Sequence, residues 1–400
     1  MNKNIKLAVA GAVLALSASA NAGIIIPAGD WTVDIGGNVN SFVTSTKLSG
    51  NMATASREDT PVQIQTGLLP SALGIGAKTR QNDLDVAVQF SFFTGSNQNG
   101  GDNLSNSATS NGGLGYSSLN IRQSYLTFGD KSWGSVLVGR NLGVFGSDAI
   151  LSDMTLLGVG SGAGGAGGSS TLGRIGSGYL YADWKAQMAY TTPNFSGLTA
   201  TVAITEMNGQ IDRGTLGYEG KVNYDFGSGD TTGKLWVSGK SGDIQTAATA
   251  GNSTTAPAGL VTDFKAEAFD FGAKVANGGA EVVAYYYTGK NSDSGNGTYL
   301  NTYETGTSSF VRRENHGGYI QGTYKLPGVG TKIGLSYGKS VVERATEASD
   351  AEREATIIGA YHPLTKHVNL VAEYNNLDVN AHAGTTGKAQ TGSLGAILFF

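Results

Sequence analysis

Residues 122–178 read RQSYLTFGDKSWGSVLVGRNLGVFGSDAILSDMTLLGVGSGAGGAGGSSTLGRIGSG. The stretch opens as a hairpin, because Arg122–Phe128 and Ser135–Arg140 are both strand-like and only Gly129–Gly134 separates them. It then runs on through Asn141–Gly178 with no clear secondary-structure period. A loop of that length counts against a compact domain unless it is functional or disordered. Its first half carries Val144, Phe145, Ile150, Leu151, Met154, Leu156 and Leu157 with two acids, Asp148 and Asp153. Its second half, Gly158–Ser170, is almost all Gly, Ser and Ala. Such a segment can pack against a wall on one side, face water on the other, and return flexibly. Read alone, it fits a Gly/Ser linker between two domains equally well. The flanking sequence decides between them.

Working outward, apolar and polar residues alternate with period two, the mark of a strand with two different faces. Asp83–Gly95 sets Leu84, Val86, Val88, Phe90 and Phe92 against Asp85, Gln89 and Ser91. Trp31–Thr46, Leu198–Ile204 and Tyr218–Phe226 repeat the pattern. A soluble sandwich and a membrane barrel both alternate in this way, the barrel turning its apolar face to lipid and its polar face to the lumen. Connection lengths separate the two. The spacing predicts sixteen strands, at 31–46, 67–80, 82–95, 116–129, 133–141, 180–192, 196–206, 215–227, 232–244, 262–276, 279–291, 313–326, 330–343, 353–363, 366–379 and 386–400. Short links (Arg80–Asp83, Gly129–Gly134, Pro193–Ser196, Gly227–Thr232, Ala276–Gly279, Pro327–Gly330, Pro363–Lys366) alternate with links that are mostly longer, polar and rich in Ser, Asn, Gly and Thr. Tight turns at one rim and long loops at the other are the outer-membrane pattern, and an even count puts both chain ends at the short-turn rim. The reading is an all-β, transmembrane antiparallel β-barrel spanning 23–400.

Met1–Ala22 reads as a cleaved signal peptide. Lys3 and Lys6 precede the apolar run Leu7–Leu16, and Ala20-Asn21-Ala22 is a small-x-small cleavage site before Gly23. Ten apolar residues fall short of the ~20 that span a bilayer. Removing the two lysines leaves 25 basic against 31 acidic residues, a net charge of −6, and nothing in that balance points to nucleic acid. Cysteine is absent, so no disulfide or thiolate metal site can hold the exported chain together. With 61 Gly, 17 Tyr and only 14% charged residues, the composition lacks the bias of helical proteins. A chain like this meets a membrane only as a closed barrel. At the carboxyl end, Leu394, Ala396 and Leu398 share a face, so Phe400 is expected at the membrane boundary with its carboxylate in water.

Three segments carry a family resemblance. Arg122–Phe128 with Trp133–Arg140 resembles a hairpin of the form RQSxVGL…FGxVxLGR, Met188–Leu198 one of the form xxYxSPxFxGF, and Tyr361–Leu370 a YxLSKRTxL turn. Together with the terminal phenylalanine, these resemble the trimeric general-diffusion porins of Gram-negative bacteria, in the form common in beta-proteobacteria and Neisseria. The resemblance implies a homotrimer in the outer membrane, in contact with lipid and lipopolysaccharide, and a water-filled channel for ions and small hydrophilic solutes. It implies that Phe400 is an assembly signal read by the outer-membrane assembly machinery. It also implies that 141–178, as the third outer loop, folds inward to form the constriction. Two positions depart from the family pattern: Ala72 stands where an Arg is common, and Gly395–Phe400 lacks the usual Arg-His pair.

A porin sorts solutes by the field of charges around a narrow aperture. The expected constriction set is Asp148 and Asp153 on the loop, facing Arg122 and Lys185 near mid-height with Lys78 lower down. Arg140 and Arg174 flank the loop and can pin it, although Val136 and Val138 share the phase of Arg140. Glu219, Lys221 and Lys240 read as solvated rim charges. Enzyme signals are weak. The GxGxxG at Gly160–Gly165 has no helix after it, and the four histidines stand in no metal-ligand spacing. The chain is therefore read as a non-enzyme with no cofactor and no metal. Two other readings stay open: a substrate-specific channel, with Tyr285, Tyr286 and Tyr287 as its aromatic cluster, and a barrel whose surface loops bind a host or phage partner.

Overall fold

The computed structural model describes residues 23–55, 59–96, 119–161, 170–207, 216–247, 261–292, 301–304, 309–343, 350–380 and 386–400. The expected signal peptide, Met1–Ala22, and most of the glycine-rich run, 162–169, lie outside the described residues. All sixteen expected strands form, each within a few residues of its expected ends, from Trp31–Leu48 to Gly387–Phe399. The main sheet has 18 strands, of which Ile24–Ala28 and Val62–Gln65 are short additions to Trp31–Leu48. The remaining sixteen run antiparallel in a ring.

The ring closes on Trp31–Leu48. Its first half pairs with Ser71–Gln81, from Thr32↔Lys78 to Asn38↔Ala72, and its second half pairs with the last strand, from Asn38↔Phe399 to Leu48↔Ala389. Phe400 extends that seam, exchanging backbone bonds with Gly37 at 2.9 and 3.1 Å. Closure leaves no long edge unpaired, which is what lets strands stand in hydrocarbon. At the short-turn rim the connections are tight. Asn82 and Asp83, both at positive φ, form a two-residue turn whose twist matches the flanking strands.

The two faces differ as the alternation requires. Val39, Val202, Ile320, Leu335, Ile358 and Leu394 stand exposed on the outer face. Polar side chains (Asn40, Gln89, Glu219, Asp270, Gln321, Ser336, Glu373) lie buried on the inner face. The strands expected at 67–80 and 180–192 begin late, at Ser71 and Trp184. Gln65–Pro70 is buried without alternation and bonds to the long loop through Leu68 N–H to the Gly158 carbonyl (2.9 Å). Tyr179, Leu180 and Tyr181 are all buried in succession, which a two-faced strand does not allow. The main apolar cluster lies inside the ring, where Phe145, Ile150, Met154 and Leu156 of the loop meet Phe42, Trp236, Tyr285, Tyr319 and Tyr361 of the wall.

Candidate functional site

After the strand Gly134–Leu142, Gly146 takes a left-handed conformation (φ 74°) and turns the chain into the short helix Ser147–Ser152. Asp153 then caps the 3-10 turn Met154–Leu157 by accepting from the Thr155 N–H. These turns are too short to be stable alone. The inner face of the barrel supplies what they lack, because its polar side chains take up the loop's backbone groups.

Two glutamates hold the ends of the apolar half in the same way. Glu219 Oε2 accepts from the N–H groups of Val144 and Phe145 at 2.7 and 2.9 Å. Glu373 Oε2 accepts from Val159 and Gly160 at 2.8 and 2.7 Å, while its Oε1 accepts from the Tyr361 hydroxyl at 2.7 Å. Gly158 permits that approach, since a Cβ there would stand 2.0 Å from Glu373 Oε1. Between these anchors, Gln321 accepts from Met154 N–H and donates to the Ser152 carbonyl, and the Tyr319 hydroxyl donates to the Ala149 carbonyl. A buried backbone group left unpaired costs about 1–3 kcal/mol, so these bonds fix the loop's path as much as they stabilise it.

Charge completes the seat. Asp148 is buried between Lys221 (2.9 Å) and Lys234. Burial alone pushes its carboxyl up, but the two ammonium groups outweigh that and bring it to about 2. Lys185 pairs with Glu219, and Lys240 lies over the Phe145 ring at 5.0 Å. Asp153 accepts from the Thr155 hydroxyl (2.7 Å) and the Tyr179 hydroxyl (2.8 Å). Burial and the adjacent Asp153 carboxylate raise the Tyr179 hydroxyl well above its ordinary value, so it stays a donor. Arg174 is fully buried. Its Nε donates to Ser336 Oγ at 2.6 Å and its Nη1 to the carbonyls of Ser177 and Ala355, while Nη2 has no hydrogen-bond partner among the described residues.

The arrangement corrects several expectations. The loop acids do not face Arg122, Lys185 and Lys78. The helix Ser147–Ser152 reaches across to the strands Gly217–Ser228 and Thr231–Ala247, so Asp148 meets Lys221 and Lys234 instead. Glu219, Lys221 and Lys240 are therefore not solvated rim charges. Arg122 stacks over Phe93 at 4.8 Å. Lys78 lies near the short-turn rim in register with Thr32 and Ala87. Arg140 is on the outer face, alternating in phase with Val136 and Val138, and Val138 is opposite the exposed Met188; its Nη1 reaches the Trp184 carbonyl at 3.2 Å. Arg174 bonds from the loop to the wall at Ser336 and Ala355. Of the tyrosine run, Tyr285 and Tyr287 are buried on the inner face and Tyr286 is exposed on the outer one. Glu373 and Lys234 gave no motif in the sequence. The available signal was only a charge at lumen phase in an otherwise alternating strand.

A model of the Gram-negative porin family matches residues 7–382. Among solved structures, the outer-membrane channel DcaP of Acinetobacter baumannii is 16% identical with a TM-score of 0.65, over 95% of this chain and 100% of that one. An anion-selective porin from Comamonas acidovorans is 16% identical with a TM-score of 0.61, over 92% and 100%. OmpT of Vibrio cholerae in its trimer form is 15% identical with a TM-score of 0.57, over 92% and 99%. At these identities the likeness is one of fold. No curated protein matches the chain.

Proposed function

This chain belongs to the Gram-negative porins, and we propose that within its barrel the loop 141–178 sets the aperture. The protein is an outer-membrane channel for passive diffusion of small hydrophilic solutes, not an enzyme. The observation that carries the proposal is the double anchoring of the loop. Glu219 and Glu373 stand on inner faces well apart in the ring, and each takes two successive backbone N–H groups from the loop. A segment held at both ends against the inner wall narrows whatever passes beside it. In this reading Asp148 with Lys221 and Lys234 supplies the local field, Arg122 and Lys185 stand on the adjoining wall, Asp153 and Arg174 hold the loop's shape, and Lys78 lies in the vestibule below.

The resemblance to trimeric channels, including the trimer form of OmpT, supports a homotrimer. Cleavage after Ala22 and recognition of Phe400 by the assembly machinery belong to the same reading, as do contacts with lipopolysaccharide. The test is planar-bilayer conductance of the purified protein and of a variant lacking Val144–Leu157. A larger single-channel conductance in the variant is expected. Equal conductance in correctly assembled protein would show that the loop lies outside the ion path.

A further inference from the structure

We infer that cleavage of the signal peptide supplies Asp34 with its partner: the α-ammonium group of the mature chain, on Gly23, pairs with the Asp34 carboxylate and locks the seam of the barrel. This rests on the cleavage after Ala22 proposed above. The seam strand Trp31–Leu48 fixes the geometry. Its Asn38 pairs with Ala72 on one side and with Phe399 on the other. Ser71–Gln81 keeps to the first side down to Thr32↔Lys78. Ile24–Ala28, which pairs with Trp31–Ile35, therefore lies on the second side, next to Phe400. Phe400 bonds to Gly37 and Ile24 pairs with Ile35. Gly23 thus falls opposite Gly36, and Phe400, Gly23 and Ile24 take successive places along one edge, as if the last residue ran on into the first mature one.

Asp34 stands at this junction with a carboxylate oxygen to spare. Its Oδ1 is buried and has no hydrogen-bond partner among the described residues. Lys78, on the same face of the neighbouring strand, attracts the carboxylate without bonding to that oxygen. A Cβ added to Gly23 would stand 2.6 Å from Oδ1, so glycine is what permits the approach. The fixed geometry about its Cα then puts the Gly23 nitrogen no more than about 5 Å from the oxygen. Opposite charges attract appreciably over that distance at the edge of a protein. A charge-assisted hydrogen bond satisfies an oxygen otherwise buried unpaired. In the uncleaved chain residue 23 carries an amide nitrogen, with one donor and no charge. The pair therefore forms only in the mature protein, where it ties the start of the chain to the strand on which the ring closes.

The test uses mature protein purified from outer membranes, its N-terminus identified by mass. Amines are acetylated briefly with a water-soluble reagent, and labelling at Gly23 is measured by mass spectrometry relative to the exposed Lys131. Asp34→Asn should raise the relative rate at Gly23 about threefold, the middle of what a partly exposed ion pair supplies. Inserting one serine between Ala22 and Gly23 moves the ammonium about 3.3 Å along the strand and should raise the rate of the new terminal amine equally. The two changes combined should add nothing further, which a general loosening of the seam would not reproduce. Should Asp34→Asn fail to assemble, the insertion decides alone. Equal relative rates in wild type and in assembled Asp34→Asn, or additive effects of the two changes, overturn the inference. A mature mass that does not begin at Gly23 removes the cleavage reading and this inference with it, whereas the expected mass with unchanged labelling removes the inference alone.

Discussion

Replacing Asp148 by asparagine tests the ionic seat of the loop. The carboxylate is 5% exposed, and its lysine partners are 19% and 29% exposed. The drop of its carboxyl from 3.8 to about 2 corresponds to about 2 kcal/mol of favourable interaction. Because the value is depressed in the folded state, that contribution is complete above about pH 4 and is lost as pH falls through about 2. Asp148→Asn keeps the size, removes the charge, and leaves Lys221 and Lys234 uncompensated. A unit charge about 5 Å from a passing ion acts with about 0.8 kcal/mol in water. Screening at 0.1 M, where the Debye length is about 10 Å, reduces this to about 0.5 kcal/mol. The anion gains what the cation loses, so the cation-to-anion permeability ratio should fall about fivefold at 0.1 M. At 1 M the Debye length is about 3 Å and the change should be less than about twofold. The assay is the reversal potential across a planar bilayer under a fixed KCl gradient at each salt level. An unchanged reversal potential at 0.1 M, in protein that assembles normally, would refute the placement of Asp148 beside the ion path.

Further outcomes follow from the same geometry. Glu373→Ala leaves the Val159 and Gly160 N–H groups and the Tyr361 hydroxyl without their acceptor, a cost of roughly 1–3 kcal/mol for each buried group; channel recordings should show a noisier and larger open state, and wild-type traces would contradict the anchoring. Val202→Lys places charge on the exposed outer face at a cost of roughly 2–4 kcal/mol near mid-membrane, while Thr201→Lys faces inward and should be tolerated; heat-modifiable mobility on gels reads both, and equal behaviour would contradict the face assignment. Deleting Phe400 removes both backbone bonds to Gly37 at the seam, so folded yield should drop while export continues. On acidification, open-channel current should stay steady down to about pH 4 and become unstable between there and about pH 2, as the Asp148 seat is lost.

Sequence alone determined the barrel. Period-two alternation assigns every strand residue to one face, and the parity of short and long links orients the strands, so strand number and rim assignment are local properties of the chain. The same alternation placed Lys185, Lys221 and Glu219 at lumen phase, and chain position marked 141–178 as the segment that breaks the pattern; Arg122, expected at lumen phase too, shares the parity of the exposed Leu126 and Phe128 and is turned inward by a bulge, where the register passes from Ser91↔Gln123 to Phe92↔Ile121. Only the tertiary structure decided which charges meet. Asp148 lies far in sequence from Lys221 and Lys234, and its pairing depends on the direction in which a short helix leaves the wall after Gly146. Alternation cannot supply that direction. Glu373 looked like any lumen-facing acid until the ring brought it against Val159 and Gly160, and Arg140, at the end of its strand, proved to be an outer-face residue once the register with Met188 was fixed. Facing is written in the chain at a spacing of two residues, but contact across a lumen is set by closure of the whole ring, which no local pattern contains.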